Sequence, residues 1–481
     1  MLDVTRVLPD TAVAVFGDHE GRGGGRGLEA ARRLGPAATI EEVVASGLRG
    51  RGGAGFPTGV KWGAVAERTA DGRAATVVVN GAEGEPGTFK DRAILRRNPF
   101  AVVEGALIAA SAVGADRVIV ALKDSFREEA AAVRRAVDEV AAAGWTEDVQ
   151  VSVFGGPGEY LYGEETALLE AIDGRPPFPR IAPPFRHGVE EVGHDTASGA
   201  ARAVLAEPGT VAPPTLVNNV ETFANVPALL AEGPDWFRSL GTDESPGTIV
   251  CTVTGQTRRH GVAEVALGTP LAEVIEAVGG GAEPGQHLVA AVSGVANPLL
   301  PAAAFGTPLC YEAMEAAGSG LGAAGFIVFD DRADLVAVAL GVSRFLAVES
   351  CGQCTPCKAD GLAIAERLAA IAGNEGTDDD VAGIQDLLTT VTDEARCFLA
   401  HQHQSVVGSI LRLFPDAVGD HRTNDAKATG PELIAPILDI VDDRAVLDET
   451  QAAKQPDWTY DDADSGQWPA QRIDRSSGEG V

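Results

Sequence analysis

The sequence runs to 481 residues, too many for one ordinary core and enough for two to four packed units. Hydrophobic residues make up 45% and charged residues 22%, a globular composition, and the formal net charge of −31 makes nucleic acid and anionic lipid poor partners. No apolar run reaches the length of a bilayer span, and the N-terminus MLDVTRVLPD lacks the basic-then-apolar pattern of a secretory leader, so no direct membrane insertion is expected.

Along the chain, residues 1–40 are weakly patterned, and GRGGGRG (Gly21 to Gly27) reads as a flexible basic surface linker in an N-terminal extension. TIEEVVASGL then predicts a helix with Thr39 as N-cap and Glu42 three positions on. A βα alternation follows: strand TVVVN (76–80), a helix over 98–114, strand RVIVAL (117–122), a helix over 125–144 and strand VQVSVF (149–154). That order predicts a mainly parallel, covered sheet. Residues 174–214 are rich in Pro, Gly and Arg and read as loop. TIVCTVTG, HLVAAVSG and FIVFDD around LAEVIEAVG predict a small α+β unit. From Asp334 four helical patterns predict a bundle. After Pro415 the tail is acidic and Pro-rich, with one apolar stretch at 432–447; its end, from about Asp461, reads as disordered.

Six cysteines are present, and four fall late in the chain, a pattern that points to metal or redox chemistry rather than a disulfide framework. ESCGQCTPCKADG sets Cys351, Cys354 and Cys357 at C-x2-C-x2-C, and Cys397 follows in EARCFLAHQ. A single zinc ion usually draws its ligands from two separated C-x2-C pairs, so this spacing favours a [4Fe–4S] cubane, with structural zinc as the alternative. Cys251 and Cys310 lie in apolar surroundings and read as small core residues.

SGLRGRGGAGFPTGVKW (46–62) contains a formal G-x-G-x-x-G in Gly50, Gly52 and Gly55, but a helix rather than a strand precedes it, so the dinucleotide-fold context is missing. Either the segment is a mobile turn, or its glycines admit a planar or phosphorylated ligand, with Arg51 and Lys61 supplying positive charge. NGAEGEPGTFKDR offers Asn80, Glu83 and Glu85 where a strand ends, the edge at which open α/β sheets bind ligands. Tyr160, Glu164 and Glu165 stand just ahead of a helix, and Asn218 and Asn219 add paired amides. Taken singly, each fits a cap or turn.

GLRGRGGAGFPTGVKW, GEPGTFKDR, YGEETALL, NNVET and ESCGQCTPC together resemble the F-subunit family of respiratory complex I, from about Ser46 to Phe414. The same module recurs in NAD-linked formate dehydrogenases and hydrogenases. The resemblance implies an α/β class with a Rossmann-like FMN/NADH-binding domain (41–245), a β-grasp domain (246–332), a helical 4Fe–4S domain (333–414) and a partly disordered tail (415–481). It implies FMN against Gly50, Arg51, Gly52, Gly53, Lys61, Asn80, Glu83, Tyr160, Gly163, Glu164, Asn218, Asn219 and Thr222. NADH is expected near Phe56, Glu85, Glu165 and Phe185, and the cluster on Cys351, Cys354, Cys357 and Cys397. It further implies hydride transfer from NADH to FMN and single electrons to the cluster, with a small 2Fe–2S subunit and further Fe–S subunits as partners. The place implied is the cytoplasm, or the inner face of the membrane through those partners.

Three positions depart from that family's pattern: Ala82 replaces an aspartate, Ala182 a lysine and Ala64 an aromatic residue. These losses motivate a second reading, an electron-transfer subunit that binds NADH weakly or not at all, with Arg186 as a compensating cation. Residues 189–211 lengthen a loop. His401 and His403 after Cys397 read as solvated helix-start residues in preference to cluster neighbours. The final electron acceptor is not written in this chain.

Overall fold

The computed structural model describes residues 4–69, 74–181 and 213–476. Residues 4–40, expected as a loose extension, are part of the first unit. Helices α1 (Phe16–Gly21), α2 (Arg26–Leu34) and α3 (Pro36–Ser46) bury Leu28, Ala30, Ala31 and Val43. His19 meets the buried Glu104 at 2.8 Å, and that carboxylate also accepts from the amides of Gly25 (3.0 Å) and Leu28 (3.1 Å). The glycine-rich stretch is therefore a packed turn, not a linker. α3 starts at Pro36, whose fixed φ suits a first helical position, so Gly35 is the N-cap. Thr39 falls inside the helix, where its hydroxyl donates back to Gly35 O at 2.8 Å.

The predicted parallel sheet is present, in the order β3-β2-β1-β4: β1 (Ala75–Gly81), β2 (Ala115–Lys123), β3 (Gln150–Gly156) and β4 (Thr215–Asn219). Strand β1 is buried almost throughout, as its unbroken apolar run requires when both faces are covered. Helices α4 (Thr58–Thr69), α5 (Lys90–Arg97), α6 (Pro99–Val113), α7 (Arg127–Ala142), α8 (Glu165–Ile172), α9 (Val220–Glu232) and α10 (Pro234–Arg238) complete this layer. Asn98 caps α6, accepting from Ala101 N, and Gly114 ends it in the left-handed region.

A mixed five-stranded sheet, in the order β6-β5-β9-β7-β8, forms the second unit. Its strands are β5 (Thr248–Gly255), β6 (Gly261–Ala266), β7 (Leu288–Ser293), β8 (Leu300–Pro301) and β9 (Gly325–Asp330), with helices α11 (Leu271–Gly279) and α12 (Tyr311–Ala316). Cys251 and Cys310 are buried there, as expected of core thiols. The four predicted helices then follow: α13 (Leu335–Glu349), α14 (Thr355–Ala372), α15 (Asp378–Thr390) and α16 (Leu399–Leu413). Asp334 caps α13, and Thr377 with Asp380 forms a capping box on α15.

The tail is ordered beyond Asp461, contrary to the expectation from its composition. It carries α17 (Pro415–Thr423), the hairpin β10 (Ile437–Val441) with β11 (Arg444–Leu447), and α18 (Pro469–Ser476). Trp458, Ala470 and Ile473 pack on the core of the helical unit, which offsets the ordering entropy that an acidic segment alone could not.

Candidate flavin and cluster sites

The loop from Leu48 to Pro57 joins α3 to α4 and is closed by Gly50 N→Phe56 O (2.8 Å) and Thr58 N→Leu48 O (2.9 Å). Only glycine fits at position 55: its φ is +64°, and an added Cβ would lie 2.4 Å from the Tyr311 ring. Tyr311 also donates to Gly50 O at 2.8 Å and lies under the Arg49 guanidinium, so the second unit braces this loop from behind. Gly52 faces Asn219, leaving 3.3 Å for a Cβ, and Phe56 projects with 54% of its surface exposed.

The sheet supplies the opposite wall of this crevice. Asn80 at the end of β1 donates to Gly163 O at 2.9 Å. Asn218 accepts from the Trp62 indole at 2.9 Å, and Asn219 caps α9 through Glu221 N at 3.0 Å. Lys61 reaches across from α4 to Val217 O (2.8 Å) and to Glu165 (2.7 Å). Glu164 is the N-cap of α8, accepting from Thr166 N and Ala167 N; burial pushes its carboxyl up despite those donors.

Three residues expected at the ligand have their side chains engaged within the protein. Arg51, read as a cation for a phosphate, is wholly buried, and its guanidinium donates to the carbonyls of Thr248 (3.1 Å), Arg49 (3.0 Å) and Pro246 (3.3 Å). It turns away because those carbonyls, at the start of the second unit, need a donor once buried. Thr222 is equally buried and accepts from Arg51 N at 2.9 Å. Glu83 is taken up by Arg92 Nε (2.9 Å) and Asp91 N (2.9 Å) at the start of α5.

Glu85 sits where all three units meet. It accepts from the Tyr160 hydroxyl (2.6 Å) and from Val295 N of the second unit (2.6 Å), while Gln402 of α16 donates to the same Tyr160 oxygen at 3.0 Å. Both donors favour the carboxylate, but burial outweighs them and pushes Glu85 up to about 7. Because this exceeds the free value, the folded chain takes up a proton: the stabilisation is full below about pH 4.5 and is lost as pH rises through about 7. Glu85→Gln is expected to remove that fall, and unfolding midpoints measured from about pH 5 to 8 check it. An unchanged pH slope in the variant would exclude Glu85 as the titrating group.

The four late cysteines are brought together. Cys351 follows α13, Cys354 is the N-cap of α14, Cys357 lies in its first turn and Cys397 precedes α16. All are free thiols and line one recess with Leu161, Pro179, Gln353 and Leu399. Among the described residues no three His, Cys, Asp or Glu side chains are gathered as a single ion would need. The preference for a polynuclear cluster over zinc rests on the C-x2-C-x2-C spacing with its distant fourth cysteine. Burial raises Cys351, Cys357 (to about 12) and Cys397, and neighbouring thiols add to it, so thiolates there require cations in their midst.

Two groups near the recess were not singled out from the sequence. Gln353 donates to Cys351 Sγ at 3.5 Å and accepts from Arg396 at 3.0 Å. Lys358, wholly buried, donates to the carbonyls of Ala347, Val348 and Ser350, capping α13 where it enters the cysteine loop. Neither histidine lines the recess. His401 is exposed and stacked on Phe398 at 5.5 Å. His403 is a core residue rather than a solvated one: it meets Ser343 Oγ at 2.8 Å, and burial holds it down at about 4. Ala82 packs with Tyr162 and Leu168 in a small apolar cluster, and Ala64 is half-buried on α4. Ala182, Phe185, Arg186 and residues 189–211 lie outside the described residues.

Comparison with known proteins matches residues 43–228 to the Nuo51 FMN-binding domain, 250–294 to the SLBB domain and 337–421 to the NADH-ubiquinone oxidoreductase-F iron-sulfur binding region. The NADH-quinone oxidoreductase F 2 subunit of Rhizobium meliloti is 36% identical over 395 residues, covering 79% of this chain and 88% of that one. The NADH-quinone oxidoreductase F subunit of Streptomyces coelicolor is 35% identical over 418 residues, covering 85% and 88%. Among solved structures, an NAD+-reducing [NiFe]-hydrogenase in its H2-reduced state superposes with a TM-score of 0.71 at 33% identity. That match covers 82% of this chain and 64% of the hydrogenase chain, so this chain spans less than two thirds of it.

Proposed function

Because the chain belongs to the F-subunit family of NADH-quinone oxidoreductases, we infer that the crevice holds FMN and receives NADH, and that the four-cysteine recess holds the [4Fe–4S] cluster. The chain is an NADH-oxidising member of a larger redox complex. One observation carries the site assignment: a single 3-10 turn, Tyr160–Gly163, borders both sites, with Gly163 O receiving Asn80 and Leu161 lining the cysteine recess. Bound FMN supplies the conversion from hydride acceptance to single-electron delivery that an iron–sulfur cluster requires.

The protein's own part is binding, orientation and exclusion of water. Gly52 and Gly53 carry no side chain, so the loop's backbone can come close to a flat ring, and Asn80, Asn218 and Asn219 offer amide groups without net charge. Gly50 and Tyr160 shape the two ends of the crevice, while Arg51, Glu83 and Thr222 hold its walls from outside. The exposed Phe56 ring is a stacking surface for NADH, with Glu85 and Glu165 at its polar groups; Phe185 is assigned to the same role from the family pattern. No side-chain acid or base is needed for the hydride step.

Lys61 and Glu165 form an ion pair 2.7 Å long at the crevice wall, and the ammonium is the available cation for the flavin. Lys61→Ala is expected to weaken FMN retention about tenfold, the worth of one charged hydrogen bond. The measurement is flavin content after gel filtration, and unchanged occupancy removes Lys61 from the site.

The decisive experiment is an anaerobic NADH titration of the purified chain. Bleaching of the flavin absorbance supports NADH oxidation here. Intact flavin that does not bleach supports the second reading, motivated by Ala64, Ala82 and Ala182, in which flavin and cluster only relay electrons. Zinc without iron or flavin would overturn both. A small 2Fe–2S subunit and further Fe–S subunits are the proposed partners, and the acceptor side of a formate dehydrogenase or hydrogenase is the alternative setting. The proposed place is the cytoplasm or, through those partners, the inner face of the membrane. Among the described residues no helix is long and apolar enough to cross a bilayer.

A further inference from the structure

The segment after α17 runs back over all three units and ends on the loop that carries Cys351 and Gly352. Glu432 N donates to Ala337 O of α13 at 2.9 Å. At the hairpin, Arg92 donates to Ile437 O (2.5 Å) and Leu438 O (3.2 Å), and Arg96 pairs with Asp439 at 2.9 Å. His260 of the second unit donates its amide to Asp443 O (2.7 Å) and accepts from Ala445 N at Nδ1 (2.8 Å). The chain then reaches the C-terminal end of α13. There Lys454 and Gln451 both meet the buried Glu349 Oε1, at 2.8 and 2.9 Å, and the Trp458 indole donates to Val348 O at 2.9 Å. Glu349 Oε2 in turn accepts from Tyr160 N at 3.1 Å, at the turn between the two cofactor sites.

The last contacts fall on a ligand loop itself. Ala470 N donates to Cys351 O at 2.9 Å, and Trp468 lies on Gly352. Gly352 has φ +81°, and a Cβ there would stand 2.6 Å from Trp468 Cβ, so the loop and the tail are fitted to each other. Arg472 ties the same stretch to Asp457 O at 2.9 Å. The matched iron–sulfur region ends at residue 421, before any of this.

Resting on the reading of the recess as the cluster site, we propose that residues 449–473 are a working part of it. They lock the main chain of Cys351 and Gly352 and shield that side of the cluster from water and dioxygen. The thiols differ in exposure: Cys351, beside the tail, and Cys357, in the first turn of α14, are buried, whereas Cys354 and Cys397 are half-buried. Trp468 and Ala470 are positioning residues, since they touch the ligand loop and not a reacting atom.

The test uses the full chain, purified anaerobically, with Trp468→Ala, Ala470→Pro and Trp468→Phe. Position 470 lies in the first turn of α18, so proline removes the amide donor to Cys351 O without breaking the helix. Trp468→Ala and Ala470→Pro are expected to load iron as the wild type does. In air their cluster absorbance should then decay about tenfold faster, because losing the Trp468 ring from beside Gly352, or about one net hydrogen bond at Ala470, shifts local opening by that factor. Their reduced-cluster EPR spectrum should change and exchange of the 348–352 amides should quicken, while flavin content stays constant; Trp468→Phe should keep the slow decay. Decay rates and spectra equal to wild type in a brown, iron-loaded protein would overturn the proposal alone. A wild-type chain without iron would overturn it together with the cluster assignment.

Discussion

Cys354→Ala is expected to abolish the cluster and leave the flavin in place. Cys354 stands at the N-cap of α14, but its side chain makes no capping hydrogen bond, so the helix keeps its start when the sulfur is removed. What is lost is one of four thiols around a recess in which burial and neighbouring sulfurs raise Cys351, Cys357 and Cys397. Three ligands do not hold a cubane built for four, and iron content and brown absorbance should both fall to near zero. The flavin crevice rests on other supports: the loop closed at Gly50 and Thr58, the strand ends at Asn80 and Asn218, and Lys61 on Val217 O. The link between the sites is the turn Tyr160–Gly163, and Tyr160 is fixed by Glu85, Gln402 and Glu349, not by a cysteine. Yellow protein lacking iron is therefore the expected product. Loss of both chromophores together would mean that the turn cannot stand without the cluster, and that the two sites fold as one.

What could be read from the sequence follows a physical pattern. Strands β1 to β3 and helices α6, α7 and α13 to α16 were legible because each carries its own periodic apolar face or a continuous buried run. The four cysteines were legible because ligand spacing is local for three of them. Elements held by distant partners were not. The glycine-rich stretch before α2 looks like a linker until Glu104, far along the chain, is seen to accept from Gly25 and Leu28. The tail looks too acidic to fold until Glu349 is found beneath Lys454 and Val348 O beneath Trp458. Arg51 and Glu83 were recognised as belonging to the site by their segments, but which way each side chain turns is set by carbonyls and charges in other units. A motif locates a loop; it does not say which of its side chains face the ligand.

The largest loss of stability is expected from Lys90→Ala, at a residue of the GEPGTFKDR motif that was not assigned to the ligand. Lys90 is 1% exposed, and its ammonium lies 2.7 Å from Asp91, 2.9 Å from Glu221 and 3.0 Å from Asn219 Oδ1. Burial alone would drive this amine down, yet the two carboxylates together hold it firmly protonated. Asp91 nevertheless sits above the ordinary carboxylate range, because burial outweighs the ammonium and the nearby Glu83 adds to the rise. The group ties α5 to α9 and, since Glu221 Oε1 accepts from Val250 N at 2.9 Å, to β5 of the second unit. Alanine would leave the buried Asp91 without its cation and Glu221 with only the Arg51 guanidinium, 3.9 Å away, a loss of about 3–5 kcal/mol. Asn219, whose amide also donates to Asp91 at 2.6 Å, would lose its anchor, so flavin retention should fall with stability. Because the strain is between ionised acids, the loss should be greatest well above pH 6 and smaller in acid, where one of them takes up a proton. Urea unfolding at two pH values measures it, and Lys90→Ala with Asp91→Asn should recover part of the loss by removing one of the stranded charges. A single variant within about 1 kcal/mol of wild type, with no pH dependence, would mean that water already reaches this pair and that the flavin wall does not depend on it.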